Sequence, residues 1–222
     1  MRRFRGCALF EAEPSSKRCA HANGASKTRP TRQRFLTGYS TFLGGVVVHG
    51  LLLWGMPNYR RVWMPGGTYF FTVNLLERQH TLLVEHVAAL RDAFGAARVA
   101  RPFEMIAIVV LPDHLHCVWR LPAEDADNAT RWRHIKTLFV QQLPRSERRS
   151  AARIRRKERG IWQRRYWERL LRDERDLRVH VDYVHFNPVK HGYVAAVNEW
   201  PWSSFHRYVR VGILSADWGG PA

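Results

Sequence analysis

Two histidines, His114 and His116, stand two residues apart inside the otherwise apolar run LPDHLHCVW at 111–119. Side chains of a β-strand alternate between its faces, so both imidazoles project to one side while Leu115, Cys117 and Trp119 take the other. A single strand histidine is usually a half-buried packing residue, whereas a same-face pair can converge on one cation through neutral ring nitrogens. Further along, DERDLRVHVDYVHFNP (173–188) carries acids in its first turn and a helical period. At 100° per residue, Leu177, Val181 and Val184 form a core stripe, and Asp176, His180, Tyr183 and Asn187 share the neighbouring face. Tyr183 and Asn187, four apart, offer a hydroxyl and an amide oxygen one turn from each other. The same two residues also fit a boundary tyrosine and an Asn ending a helix, because a residue before proline is pushed out of helical geometry.

These groups need elements to hold them. TYFFTVN (68–74) is β-branched and aromatic and predicts a strand. Val84, Val87, Leu90 and Phe94 recur at helical steps within 83–99, ahead of Pro102. FEMIAIVVL (103–111) is apolar on both faces and predicts a central strand, joined through Pro112 and Asp113 to the histidine strand as a tight hairpin. NATRWRHIKTLFVQQL (128–143) predicts a second helix with Asn128 as N-cap, Trp132, Ile135, Leu138 and Phe139 inward, and a basic flank of Arg131, Arg133 and Lys136. Strand, helix, strand, strand, helix, then a later helix gives an α+β protein, a ferredoxin-like or RRM-like antiparallel sheet with helices packed on one face.

The 222 residues carry a formal charge of +17 with a pI near 10.9, a balance that favours polyanions such as nucleic acid or an anionic membrane surface. Residues 145–172 hold twelve Lys or Arg against three acids, interleaved with Trp162, Tyr166 and Trp167. That mixture suits a phosphate backbone and stacked bases, and equally a charged loop beside core aromatics. Cys7, Cys19 and Cys117 are odd in number and widely spaced, so neither a disulfide framework nor a thiolate zinc site is expected, and a reducing cytoplasm fits. The longest apolar stretch, from Phe42 to Met56, falls short of the roughly 20 residues of a spanning helix. Residues 1–55 lack sustained periodicity and contain nine Lys or Arg against two acids. They read as a disordered extension, or as sequence upstream of a true start at Met56.

Taken together, LPDHLHCVW resembles the histidine-hydrophobe-histidine motif of the HUH endonucleases, and HVDYVHFNPVKHGYV resembles the nucleophile helix of their single-tyrosine transposase branch. The resemblance is closest to the REP-associated tyrosine transposases, relatives of the IS200/IS605 group. It runs from MPNYRRVWMPGGTYFFTVNL (56–75) through RWRHIKTLF and IWQRRYWERLLRDERDL to WPWSSFHRY (200–208) and DWGG (217–220), and so covers 56–222 with a basic insertion at about 145–160 and a C-terminal tail at about 200–222.

The resemblance implies His114, His116 and Asn187 as ligands of a divalent cation, Mg²⁺ or Mn²⁺, and Tyr183 as the nucleophile. It implies single-stranded or hairpin DNA of REP type as the substrate and a monomer, while the shortness of the apolar stretch 42–56 leads to the expectation of no membrane partner. Phenols ionise near pH ~10, so at neutral pH the tyrosine needs an electrophile made more reactive, and a cation on a non-bridging phosphate oxygen supplies this. Arg131, Arg133, Lys136, Arg153, Arg155 and Arg156 are the expected phosphate contacts. Two other readings stay open: an RRM-like single-strand binding module without catalysis, and a metal-dependent phosphodiesterase that uses water while Tyr183 is structural. Histidines in place of aromatics at the start of a central strand argue against the first.

Overall fold

The computed structural model describes residues 62–78, 81–145, 149–156 and 158–220. The expectations for residues 1–55, including Cys7 and Cys19, lie outside these. The described elements are β1 (Thr68–Asn74), α1 (Leu82–Glu85), α2 (Val87–Ala100), β2 (Glu104–Val110), β3 (His114–Arg120), α3 (Asn128–Gln141), α4 (Ala151–Arg155), β4 (Trp167–Leu170), α5 (Glu174–Lys190) and α6 (Phe205–Arg210). The four strands form one antiparallel sheet in the order β2-β3-β1-β4, the ferredoxin-like arrangement expected from the element order. Among the described residues no helix is long and apolar enough to cross a membrane.

Alternation along β1 and β3 sorts the sheet into two faces. Tyr69, Phe71, Val73, Leu115, Cys117 and Trp119 meet Leu90, Phe94, Trp132 and Phe139 of α2 and α3 in the larger core. Phe70, Val109 and Val118 meet Val181 and Val184 of α5 on the other face. Helices α1, α2 and α3 therefore share one face, and α5 crosses the face that carries the histidines, with Trp200 and Tyr208 of the C-terminal segment packed beside it. The stripe of Val181 and Val184 is the one its periodicity predicts, with Leu177 packed at its margin.

Three local expectations are corrected. β2 is an edge strand of the four, not a central one. Its double-sided apolarity remains necessary because both faces are covered, and its outer edge is closed by the C-terminal segment. Val109 bridges Ser203, the Val110 N–H donates to the Trp202 carbonyl at 2.8 Å, and the Ser204 N–H donates to the Ile108 carbonyl at 2.8 Å. The backbone groups of an exposed edge are satisfied in this way without a fifth strand. The segment is locked to α5 as well, since the Ser204 hydroxyl lies 3.0 Å from Nε2 of the fully buried His185. Burial, with the nearby charges of Arg207 and His206, lowers the His185 pKa to about 3 and keeps the ring neutral.

Asn128 is not the cap of α3. Asp127 caps it by accepting from the Thr130 N–H at 2.9 Å, and the buried Asn128 accepts instead from the Trp119 indole N–H at 2.8 Å. The helix expected over 83–99 is divided at His86 into α1 and α2. The short α1 answers to a different anchor, the Leu83 N–H donating to the Pro112 carbonyl of the β2–β3 turn.

Arg131 is corrected from surface phosphate contact to core cation. It is 1% exposed and donates to Asp125 at 2.7 Å and to the carbonyls of Pro102 and Asp127 at 2.8 and 2.9 Å. The hydrogen bond from Arg131 holds the Asp125 carboxyl below its usual range. Removing Arg131 takes a partner from the Asp125 carboxylate, itself 29% exposed, and from the carbonyls of Pro102 and Asp127. Arg131→Met is therefore expected to lower folding stability by about 3 kcal/mol in urea titrations, while DNA affinity of the still-folded protein stays unchanged. Reduced DNA affinity at unaltered stability would return Arg131 to the surface set.

Candidate functional site

On the α5 face of the sheet, β1 and β3 pair Asn74 with His114 and Thr72 with His116. Both histidines are buried, at 3% and 4% exposure, with ring centroids 4.9 Å apart and planes nearly perpendicular. Each ring has its Nδ1 engaged by protein. His114 Nδ1 lies 2.6 Å from Oδ1 of the buried Asp113, and His116 Nδ1 lies 2.9 Å from the Thr72 hydroxyl. The Asp113 carboxylate, which can only accept, selects the Nδ1–H tautomer of His114, while the Thr72 hydroxyl engages His116 Nδ1 as donor or acceptor; in both rings Nε2 is the nitrogen not taken by these contacts.

Charge balance supports neutral imidazoles. Burial lowers the His114 pKa despite the opposing pull of Asp113. His116 falls well below its ordinary value because of burial, reinforced by His114, His191 and Lys190. Asp113 is pushed up by burial but ends below the usual carboxylate range, since hydrogen bonds from His114 and Arg78 outweigh it. Arg78 Nε donates to Asp113 Oδ2 at 2.6 Å. The arrangement is thus a neutral His114 donating to an ionised, anchored Asp113.

Helix α5 supplies the facing wall. Tyr183, Asn187 and His191 recur every fourth residue, so they line one side. The Tyr183 ring lies 5.3 Å from His116 and the His191 ring 5.2 Å from His114. Asn187 stands between them on the helix, one turn from each. It is fully buried, and neither Oδ1 nor Nδ2 has a hydrogen-bond partner in the protein. Buried polar groups are almost always paired, so the Asn187 amide has hydrogen-bonding capacity that a water, an ion or a bound group would complete. The ammonium of Lys190 sits 4.7 Å above the Tyr183 ring.

Asn187 does not stand at a frayed end. Pro188 lies inside α5, which runs on to Lys190 and stops in a Schellman turn. The Gly192 N–H donates to the Val189 carbonyl and the Tyr193 N–H to the Pro188 carbonyl, with Gly192 at φ +70°. Proline three residues from a helix end forfeits one i→i−4 bond, and burial of Pro188 itself holds the turn in place. The consequence is that His191 caps the helix against His114.

Among the described residues no cluster of three or more His, Cys, Asp or Glu is arranged as a metal site. Two imidazole nitrogens and one amide oxygen would form a different donor set; the ring contacts of Tyr183 and His191 with the histidines bring the α5 face that carries Asn187 against the histidine pair. Three neutral donors would leave coordination positions for phosphate and water; an imidazole pair is chemically closer to Mn²⁺ or Zn²⁺ than to Mg²⁺, and the expectation of Mg²⁺ or Mn²⁺ comes from the resemblance to the family. The expected DNA contacts are spread more widely. Arg133 is exposed on α3, Arg155 and Arg156 are exposed at the end of α4, and Arg153 is half-buried beside Gly160. Lys136 donates to the Gln163 carbonyl at 2.8 Å and lies over the Trp162 and Tyr166 rings. A cleft of about 840 Å³ between α3 and the 145–166 segment is rimmed by Arg133, Lys136, Arg145, Arg149 and Arg164. Its lining includes Trp162 and Tyr166, which pack on the α2–α3 side of the sheet, opposite the histidines.

A ferredoxin-like sheet presenting a histidine pair from its central strand to a helix-borne tyrosine defines the HUH class of fold. No protein-family model matches the chain. A REP-associated tyrosine transposase of Escherichia coli (strain K12) is 45% identical over 165 residues, 74% of this chain and 92% of the relative. A Haemophilus influenzae protein described in the same terms is 47% identical over 166 residues, 74% of this chain and 94% of the relative. A solved structure of a REP-associated tyrosine transposase bound to a REP hairpin shares 44% identity, with a TM-score of 0.65 over 75% of this chain and 93% of that one. The chain belongs to the family of REP-associated tyrosine transposases. Its members are enzymes that act on DNA.

Proposed function

We propose that the protein cleaves and rejoins single-stranded DNA at REP-type palindromes through a 5′-phosphotyrosine at Tyr183, with His114, His116 and Asn187 holding Mg²⁺ or Mn²⁺. The observation that carries this reading is the buried, unpartnered amide of Asn187, one helical turn from both Tyr183 and His191, whose rings lie against the two imidazoles with Nδ1 atoms already engaged. HUH transposases generally use a divalent metal, and such an ion supplies charge withdrawal from the phosphate. The protein residues do the rest. Asp113 and Thr72 fix the two rings, and Tyr183 Oη attacks phosphorus as its proton leaves to water. The bond to the 3′-oxygen breaks, that oxygen takes up a proton, and the 5′-phosphate stays on the tyrosine. Lys190 sets a positive charge beside the ring whose oxygen gains charge on the way to attack. Rejoining is the reverse displacement by another 3′-hydroxyl and needs no nucleotide cofactor.

Incubating the protein with Mg²⁺ or Mn²⁺ and a single-stranded REP-hairpin oligonucleotide tests the proposal. A cut strand bearing covalently attached protein supports it, and cutting without any adduct supports the water-using phosphodiesterase instead.

Binding draws on the exposed cations of α3 and α4, of which Arg133, Arg155 and Arg156 reach solvent, with Arg153 behind them. The double substitution R155E/R156E is expected to weaken binding to any single strand about tenfold at low salt. It should also flatten the dependence of log K on log salt by about 0.7 for each phosphate that is no longer neutralised. Fluorescence anisotropy across ~50–200 mM salt reads both. An unchanged slope would move the DNA path off α4.

A further inference from the structure

The basic, aromatic-interleaved run of 145–172 divides sharply in space. Trp162 and Tyr166 pack against the α2–α3 core, whereas Trp167 is 49% exposed. Strand alternation turns Trp167 to the opposite face, paired with Thr72 and on the same side as His116. Its ring is held edge-on to Phe70 at 5.6 Å, and the same Phe70 ring touches His116 at 5.5 Å and Tyr183 at 5.8 Å. A single buried ring thus separates the exposed indole from the candidate nucleophile. β4 is also an edge strand of the sheet, and Trp167 on the histidine face directly follows Tyr166, which lines the cationic cleft on the other face.

The chemistry around Trp167 narrows its partner. Its exposed neighbours in the chain are Arg165 and Arg169, the latter paired to Asp176 at 3.2 Å, and not further apolar groups. A rigid aromatic face flanked by guanidinium groups lacks the contiguous apolar area that protein docking favours. It matches a polyanion with flat π-faces, which is unpaired nucleic acid.

We propose that Trp167 is a stacking platform for an unpaired nucleobase next to the scissile phosphate, a subsite that rests on the strand-cleaving reading above. Trp167→Ala and Trp167→Phe are to be placed in the Tyr183→Phe protein, which binds without cutting. Affinity is then measured for REP-hairpin oligonucleotides with single-stranded flanks, either intact or with one abasic site at each flank position in turn. Trp167→Ala should weaken binding of the intact flank about tenfold or more, and Trp167→Phe should retain most of it. At one flank position an abasic site should cost as much with Trp167 present and nothing further once it is Ala. Binding to duplex without a flank should be unaffected, which also reports that the variant is folded.

Unchanged affinity for the intact flank, or losses that add at every position, overturns the platform. In that event a wild-type protein that still forms the covalent adduct keeps the strand-cleaving reading. A wild-type protein that forms none removes both.

Discussion

Tyr183→Phe will bind REP-hairpin DNA with affinity close to that of the wild type and will neither cut it nor form an adduct. Phe keeps the ring that packs on Phe70 and His116 and loses only the oxygen. Affinity comes from the spread of Arg and Lys contacts, which the substitution does not touch. The cleavage rate should fall to background, because nothing else on that face of α5 offers a hydroxyl: the positions one turn to either side are Val179 and Asn187. In the wild type, mass spectrometry after nuclease digestion should place a nucleotide-bearing phosphate on the peptide containing Tyr183. Metal-dependent cutting that survives in Tyr183→Phe would give the displacement to water and make the tyrosine structural.

The frame of the fold is readable in the sequence because period and alternation report burial directly. β1, β3 and the inward face of α5 appear where their apolar spacing places them. Alternation alone also puts His114 and His116 on one face, with no partner for them in view. β2 departs from its expected central place because apolarity on both faces reports covering, not position in a sheet, and the cover on its outer edge comes from residues 200–204, nearly a hundred positions later.

Arg131 shows a second limit. Helical spacing assigns it to a flank, but only the tertiary approach of Asp125 and Pro102 makes a buried guanidinium tolerable there. The site is half legible for the same reason. Tyr183 and Asn187 follow from a four-residue spacing, and the same spacing reaches His191 once Pro188 is allowed inside the helix. Asp113 adjoins His114 in sequence but is unremarkable as a residue type in a turn. Thr72 emerges only from the register of β1 against β3, which no local pattern encodes.

His114→Ala and His116→Ala should each lower DNA cleavage by about 10³-fold or more, the scale set by losing several kcal/mol of charge stabilisation at phosphorus. Binding of Mn²⁺ to the protein without DNA, followed by electron paramagnetic resonance or calorimetry, should be lost in parallel, which separates a ligand role from a merely structural one. Asn187→Ala should be milder, because water can occupy the place of one neutral donor. Asp113→Asn tests the outer layer. It keeps the size of the side chain but removes the carboxylate that accepts from His114 Nδ1 and is anchored by Arg78. Loss of such a partner typically costs 10–100-fold in metal affinity, so Asp113→Asn should bind Mn²⁺ more weakly by about that factor and recover cleavage when the ion is raised. Thr72→Val should behave likewise through His116, to a smaller degree, since a hydrogen bond to a neutral hydroxyl is weaker than one to a carboxylate. EDTA should abolish adduct formation in the wild type, and added Mg²⁺ or Mn²⁺ should restore it. Cleavage that persists in EDTA, or undiminished Mn²⁺ binding in His114→Ala and His116→Ala, would place the ion elsewhere and leave the orphaned amide of Asn187 to be explained by a direct bond to the DNA phosphate.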